Sequence, residues 1–499
     1  MRRFSILLIA VAGAATAAPA VHAQPDKTVP TYWPQFRGPG GLGVAAEDVK
    51  FPLRFGPDKN VLWKTPLPEG HSSPCIWGNH IFLTGFDKAG KKLETLCLDR
   101  RKGDILWRQA APAEKFENVH QISNPAVSTP ATDGKRVYVY FGSYGLLCYD
   151  FAGKEQWKMP LPAPVTRFGT GASPIVAGDL VLCSCDCPPK PVLLAVEGST
   201  GKPRWKKERL PFGEGYATPL VWTHAGAGEV IVHTSARLQA YRLKDGEETW
   251  WVGIQSTACS TPVIGADRLF VATWAFGADP NDRVPLPTFD ELLQKYDKDK
   301  DGKISQKEFP ADLSILRRAD AADIPGSDVK LIRFFSFIDE NKDGHIDRNE
   351  WAKVLEFTKK HVEHGVLAIK AGAKGDAGKT HVLWQEKKGI PEVPSPLYYR
   401  QRLYLVRDGG VVSCLETKSG KLLYRERLDS AGAYFSSPVA GDGKVYAASV
   451  RGVVTVLAAG DVFRVLARND LQDAIVATPA LFDGKIYLRT KKHLYAFAE

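Results

Sequence analysis

The chain has 499 residues, 44% of them hydrophobic and 10% aromatic, which supplies a large core and excludes a disordered polar polymer. Basic residues outnumber acidic ones by 66 to 56, a net charge of +10 that becomes +8 without Arg2 and Arg3; this suits weak attraction to anionic polymers or lipid head groups and excludes nucleic acid as the expected partner. Eight cysteines are too sparse for this length to form a disulfide scaffold.

Arg2 and Arg3, the apolar run from Ile6 to Ala18 and the small residues ending at Val21-His22-Ala23 read as a cleavable signal peptide over 1–23. A leader over 24–55 follows. No later run is long or apolar enough to span a bilayer, and Cys75 lies too far along the chain to be a lipidated N-terminus. The expectation is a secreted protein that does not span a membrane, periplasmic if the cell has an outer membrane.

From residue 56 onward the chain repeats itself. Ser73-Pro74, Thr129-Pro130, Ser173-Pro174, Thr218-Pro219, Thr261-Pro262, Ser395-Pro396, Ser437-Pro438 and Thr478-Pro479 each open an apolar strand pattern. The prolines are 56, 44, 45, 43, 134, 42 and 41 residues apart, and six of these intervals are close to one four-stranded propeller blade. The interval of 134 holds an insertion. After each start comes a Gly-, Asp- or Asn-rich turn, such as Asp133-Gly134, and a strand run such as Val137-Tyr138-Val139-Tyr140. A second hairpin follows, in which a small residue, a polar residue, Gly and Trp recur at fixed offsets, as in Ala195, Glu197, Gly201 and Trp205. Glycine provides the positive φ of the turn and the aromatic fills the gap against the next sheet. Cys97, Cys148 and Cys414 share the small-residue position that is Ala195, Ala240, Ala368 and Ala496 elsewhere, so they read as buried core thiols.

The last repeat stops at Ala496-Phe497-Ala498-Glu499, before its outer strand. Asn60-Val61-Leu62-Trp63-Lys64 resembles an outer strand without a blade, so the N-terminal segment is expected to complete the eighth blade and remove two open sheet edges. Repeats ending in Thr200-Gly201-Lys202-x-x-Trp205 resemble the pyrroloquinoline-quinone-type propeller superfamily, as do the leader Trp33-Pro34-Gln35-Phe36-Arg37-Gly38-Pro39 and His71-Ser72-Ser73-Pro74. That group includes quinoprotein alcohol dehydrogenases and the non-enzymatic propeller of the outer-membrane barrel-assembly machinery. The resemblance implies an all-β fold, an eight-bladed β-propeller formed by 56–279 and 365–499.

Between them, over 280–364, the pattern turns helical around two acidic loops. Asp297, Asp299, Asp301, Lys303, Ser305 and Glu308 fall at positions 1, 3, 5, 7, 9 and 12 of a calcium loop, as do Asp339, Asn341, Asp343, His345, Asp347 and Glu350. Calcium takes six to eight hard oxygen ligands, and Gly302 and Gly344 stand at the position of the sharp turn. Resemblance to the EF-hand family assigns the carboxylates, the Asn341 amide and the Lys303 and His345 carbonyls as ligands, with Ser305 acting through water. Ile304 and Ile346 are placed to pair between the loops, and Pro310 shortens the helix leaving the first. Two structural Ca²⁺ sites are expected.

An enzymatic reading is weaker. The quinone chemistry of the superfamily sits at the propeller axis, whereas these calcium loops lie in an insertion. The family's adjacent cysteine pair is absent, Cys183-Ser184-Cys185-Asp186-Cys187 having another spacing, and no Cys-x-x-Cys-His occurs for covalent haem. Those three cysteines suit packed thiols or a disulfide better than a soft metal, since alternate strand residues share one face. His361 and His364 have zinc-like spacing without further ligands and read as a solvated helix end. If the blades are oriented as in the superfamily, His71, His120, Asn124, Arg167, Glu214, Tyr216, Gln255, Tyr434 and Asp473 rim one mouth of the channel, able together to bind a polar ligand. The Ser/Thr hydroxyls of the eight starts read as structural. The expectation is a non-enzymatic binding or assembly scaffold with an envelope protein or polymer as partner. A quinone- and calcium-dependent alcohol or sugar dehydrogenase and a carbohydrate- or anionic-polymer-binding module are the alternatives.

Overall fold

The computed structural model describes residues 32–499 except 167, 188–189, 210–213, 276, 280–281, 319–326, 360–363 and 431; the expected signal peptide, 1–23, lies outside the described residues. Each Ser/Thr-Pro start leads directly into the first strand of a sheet, as at Cys75–Trp77, Ile175–Ala177 and Ala480–Phe482. Among the described residues eight sheets of four or five strands form in this way, with two small two-stranded sheets in the insertion. The fold is an eight-bladed β-propeller with a small inserted helical segment.

Blade one shows why these residues become these strands. His80–Asp87 and Lys92–Asp99 are apolar on both faces because a blade lies against each side of them, and Leu83, Leu96 and Leu98 are fully buried. The outer strand Ile105–Ala110 alternates, with Trp107 turned inward and Leu106 exposed. Trp107 pairs across the ladder with Cys97, and the same register joins Cys148 to Trp157, Ala195 to Trp205, Cys414 to Tyr424 and Ala496 to Trp63. A small residue there leaves room for the ring. The three thiols at this position are fully buried and form no disulfide.

The rings also lock neighbouring blades. Trp63, Trp107, Trp157, Trp205 and Trp384 donate their indole N–H to the carbonyls of Arg100, Phe151, Gly198, Leu243 and Thr417, each in the following blade, at 2.8–3.0 Å. Each lies over that blade's turn glycine. A Cβ on Gly201 would stand 2.6 Å from Trp157, and its φ is +70°, so both space and backbone demand glycine. Blade four departs from this: Trp250 turns its N–H to Glu229, and Gly375–Asp376 adds a parallel fifth strand outside Glu248–Gly253.

Closure is achieved twice. At the rim, Val61–Pro66 pairs with His493–Phe497, so both ends of the chain build blade eight. At the axis, the eight Ser/Thr hydroxyls form a circular relay. The N–H of Ser73 donates to the Thr129 hydroxyl, and so on through Ser173, Thr218, Thr261, Ser395, Ser437 and Thr478, whose N–H returns to the Ser73 hydroxyl, at 2.9–3.1 Å throughout. Proline at the next position cannot donate, so this N–H is the last backbone donor before each strand, and the neighbouring hydroxyl satisfies it.

The leader is more than a connector. Tyr32–Trp33 adds a strand to the inner edge of blade one. The chain then crosses the axis: Pro34 accepts from Thr132 N–H (2.8 Å), Gln35 from Val176 N–H (3.2 Å), Arg37 donates to the Pro396 carbonyl (2.6 Å), and Ala45 pairs with Ala440. Blades one, two, three, six and seven are thereby tied together beneath the hydroxyl ring. Arg37 is fully buried, and burial pulls its guanidinium down to about 9.

Candidate functional site

The insertion leaves blade five after Arg268–Thr273 and returns at Gly365–Lys370. Thr288 caps the helix Phe289–Tyr296 in a reciprocal capping box with Glu291, and the helix ends at Asp297. Asp297 then accepts from Gly302 N–H (3.1 Å), whose φ of +81° makes the sharp turn. Oxygens of Asp297, Asp299 and Glu308 lie within 4.8 Å of one another, and Asp297 Oδ1 is buried with no hydrogen-bond partner among the described residues. Glu308 accepts from the Ser305 hydroxyl and N–H and from Lys298 N–H, which hold its carboxyl down at about 2. Asp301 accepts from Lys303 N–H, and the Lys303 ammonium pairs with Asp343 of the other loop.

The second loop repeats this scheme. Asp339 accepts from the N–H groups of Asp343 and Gly344 (3.1 and 3.0 Å), Asn341 from Asp343 N–H (2.8 Å), and Asp343 from His345 N–H (2.9 Å). Asp347 caps Glu350, the third residue of the helix Arg348–Lys359, and Glu350 reaches back to Glu340 N–H (2.9 Å). Ile304 and Ile346 pair antiparallel between the loops, as their positions predict. The hands differ at their exits. After Glu308 there is a single turn and then a hairpin, Ser314–Arg317 with Asp328–Lys330, whereas the second hand has the full exit helix. Phe309, Phe335 and Trp351 pack edge to face in the module's own core.

A buried ion network joins the module to the ring. Arg318, just beyond the hairpin strand, pairs with Glu392 (3.2 Å) and Asp408 (3.4 Å), and Arg407 pairs with Asp279 (3.5 Å) and Asp282 (3.6 Å). Five of these six are buried, and Glu392 is partly buried. They come from four separate segments, so nothing in the sequence marks them as neighbours.

The module sits over the channel mouth. Below it lies a cavity of 220 Å³, floored by the hydroxyl ring and Phe36 and walled by Ile122, Val127, Phe168, Phe435 and Val476. A second cavity, of 760 Å³, lies between module and ring, where Phe334, Phe337 and Phe357 face Phe168 and Trp274. The two share Phe168, Thr257 and Glu392.

Of the nine polar residues expected at the mouth, His71 and Tyr216 line the channel cavity. Burial, reinforced by Arg489, pushes the His71 imidazole down to about 4, so it is neutral. Tyr216 donates its hydroxyl to Glu214, and Phe168 packs between Tyr216 and His120. Asn124 and Tyr434 are instead buried structural residues, the first capping Ala126 N–H and the second donating to the Ser430 carbonyl, because each closes its own turn. Gln255 is exposed, Asp473 accepts from Lys492 N–H, and Arg167 lies outside the described residues. The Cys183 and Cys185 sulfurs are 3.8 Å apart as packed free thiols. His364 is buried at the return to blade five, against the reading of a solvated helix end, and His361 lies outside the described residues.

A family model described as outer membrane protein assembly factor BamB matches 56–208, 94–257, 190–305 and 375–465. This chain belongs to that family of propeller repeats. Within this BamB-type chain an EF-hand model matches 331–355, the hand with the complete exit helix. Residues of the chain also match an endoplasmic reticulum-resident calcium binding protein of Plasmodium falciparum, 34% identical over 99 residues, 19% of this chain and only 27% of that one. Among solved structures, a europium-containing methanol dehydrogenase aligns over 95% of this chain and 99% of its own at 10% identity and TM-score 0.55. A quinohemoprotein alcohol dehydrogenase of Pseudomonas putida HK5 covers 95% and 81% at 13% identity and TM-score 0.52, and the computationally designed Ika8 protein 88% and 100% at 10% and 0.52. At these identities the likeness is one of fold.

A pyrroloquinoline quinone of the dehydrogenase type carries three carboxylates and needs cationic partners. Among the described residues no Lys or Arg lines the channel cavity, and its one ionisable carboxyl, Glu392, is pushed up by burial to about 7. The described lining residues do not fit that cofactor. Calcium fits the first inserted loop, where the carboxylates of Asp297, Asp299 and Glu308 converge and Asp297 Oδ1 lacks a partner among the described residues.

Proposed function

We propose that this chain is an exported, calcium-binding propeller that serves as a non-enzymatic binding or assembly scaffold in the cell envelope, periplasmic where an outer membrane exists. Its supports are family membership, the acidic loops and a channel in which no described lining residue is a Lys or Arg to pair with a quinone's carboxylates. The observation that carries it is the module's position: a calcium-dependent element held across the propeller mouth by a buried ion network gives the scaffold a second surface beside the ring. Calcium would be held by Asp297, Asp299, Asp301, Ser305, Glu308 and the Lys303 carbonyl, and by Asp339, Asn341, Asp343, Asp347, Glu350 and the His345 carbonyl, as structural ions.

The test is crosslinking of the full chain in its own cells, followed by recovery of envelope partners with calcium, with chelator and with Glu350→Gln. Defined partners retained with calcium and lost in the other two arms support the scaffold. Calcium-dependent dye reduction on alcohols or sugars after addition of quinone overturns it, and so does recovery that is the same in all three arms.

A further inference from the structure

The two cavities at the mouth carry an inference that goes beyond the scaffold reading and does not depend on it. In the central ring every Ser/Thr oxygen accepts one backbone N–H. A hydroxyl also has a hydrogen to donate. Among the described residues no acceptor takes any of these eight hydrogens, and all eight residues line the cavity. The floor of the channel is therefore a circle of donors under apolar walls, closed beneath by Phe36.

Charge narrows what such a floor accepts. A carboxylate or phosphate brought here would meet no basic lining side chain among the described residues, would face Glu392, and would be costly to desolvate. A cation would find one remaining lone pair on each hydroxyl and a single carboxyl, Glu392, already paired with Arg318. A neutral group with ether, ester or carbonyl oxygens finds a hydrogen to accept at each hydroxyl of the ring. Above it the path continues, through the shared Phe168, Thr257 and Glu392, into the larger cavity beneath the calcium module. There Phe337 and Phe357, 80% and 64% exposed, present rings that no described element covers.

We propose that the channel and the groove under the module form one binding site for an uncharged amphiphile, its oxygen-bearing head on the hydroxyl ring and its hydrocarbon tail against Phe334, Phe337 and Phe357. Hydroxyl donors select the head, and the aromatic groove selects tail length.

The test is calorimetric titration of the full chain, calcium-loaded, with 1-monolauroylglycerol below its aggregation concentration, with laurate, and with glycerol 1-monobutyrate, which keeps the head and loses the tail. The lauroyl ester should bind one to one and laurate about tenfold or more weaker, the effect of roughly 1.4 kcal/mol of unpaired charge. Phe337→Glu, on an exposed side chain, should weaken the lauroyl ester about fivefold and leave the butyrate unchanged. Val476→Trp, which fills the channel, should abolish binding of both esters at an unchanged melting temperature; if it fails to fold, the Phe337→Glu comparison decides alone. The proposal is overturned if laurate binds as well as the ester, if the ester does not bind, or if Phe337→Glu affects both esters alike.

Discussion

The propeller closes through residues far apart in sequence, Thr478 with Ser73 and Trp63 with Ala496, whereas each inserted calcium loop arranges its acidic groups from within one twelve-residue stretch. The ring must order nearly the whole chain before its last contact forms, so its stability is cooperative and its loss global. The module has its own small core around Trp351 and Phe335, and its loops concentrate negative charge that only a cation relieves. Ring stability should therefore follow packing, and module stability should follow calcium.

The strongest way to break this contrast is Trp63→Ala. It removes a buried ring from the strand that joins both ends and a hydrogen bond to Arg100, and should cost about 3–5 kcal/mol in urea unfolding while calcium binding to the native state is retained. A midpoint unchanged from the parent protein would show that closure at the rim is dispensable.

Next is pH, which should act on the ring. His233 is buried at the end of a blade-four strand, 2.7 Å from the Ser260 carbonyl, and burial pulls its imidazole down to about 4. With the folded value below the unfolded one, near 6.5, the unfolded chain binds more protons between those values. Its contribution is complete above pH 6.5 and declines as pH falls toward 4, by about 3 kcal/mol in all. Denaturation followed across pH 4–7 should show that slope together with the one from His71, and His233→Gln should remove about half of it.

Calcium sharpens the other side. At about 100-fold excess over the dissociation constant a site adds roughly 2.7 kcal/mol to the unit that holds it. Hydrogen exchange should show that protection around 339–350 and no change in blade five at Arg268–Thr273. Glu350→Gln should abolish it, and Glu308→Gln should have the smaller effect because the first hand lacks an exit helix. The least effect is expected from Thr261→Val, which leaves the Thr218 N–H without its acceptor and should cost about 1–2 kcal/mol without altering calcium binding.

The sequence by itself determined the blade count, the closure by Trp63, the recurring turn glycine, small residue and terminal aromatic, and the two acidic loops. All of these are periodic or local signals: a proline that cannot donate, a turn that needs positive φ, a loop that wraps one ion. It also marked the eight hydroxyls as structural, which the relay around the axis bears out. What only the tertiary structure decided is what stands beside what. Asp279, Arg318, Glu392 and Arg407 meet from separate segments, Phe36 reaches the floor of the channel from the leader, and Phe337 comes to overhang its mouth. Asn124 and Tyr434 read as rim residues because they precede inner strands, yet each turns inward to satisfy its own loop. Spacing along a chain reports contacts between near neighbours in a repeat, and the mouth of a propeller is built from the loops where the repeat is broken.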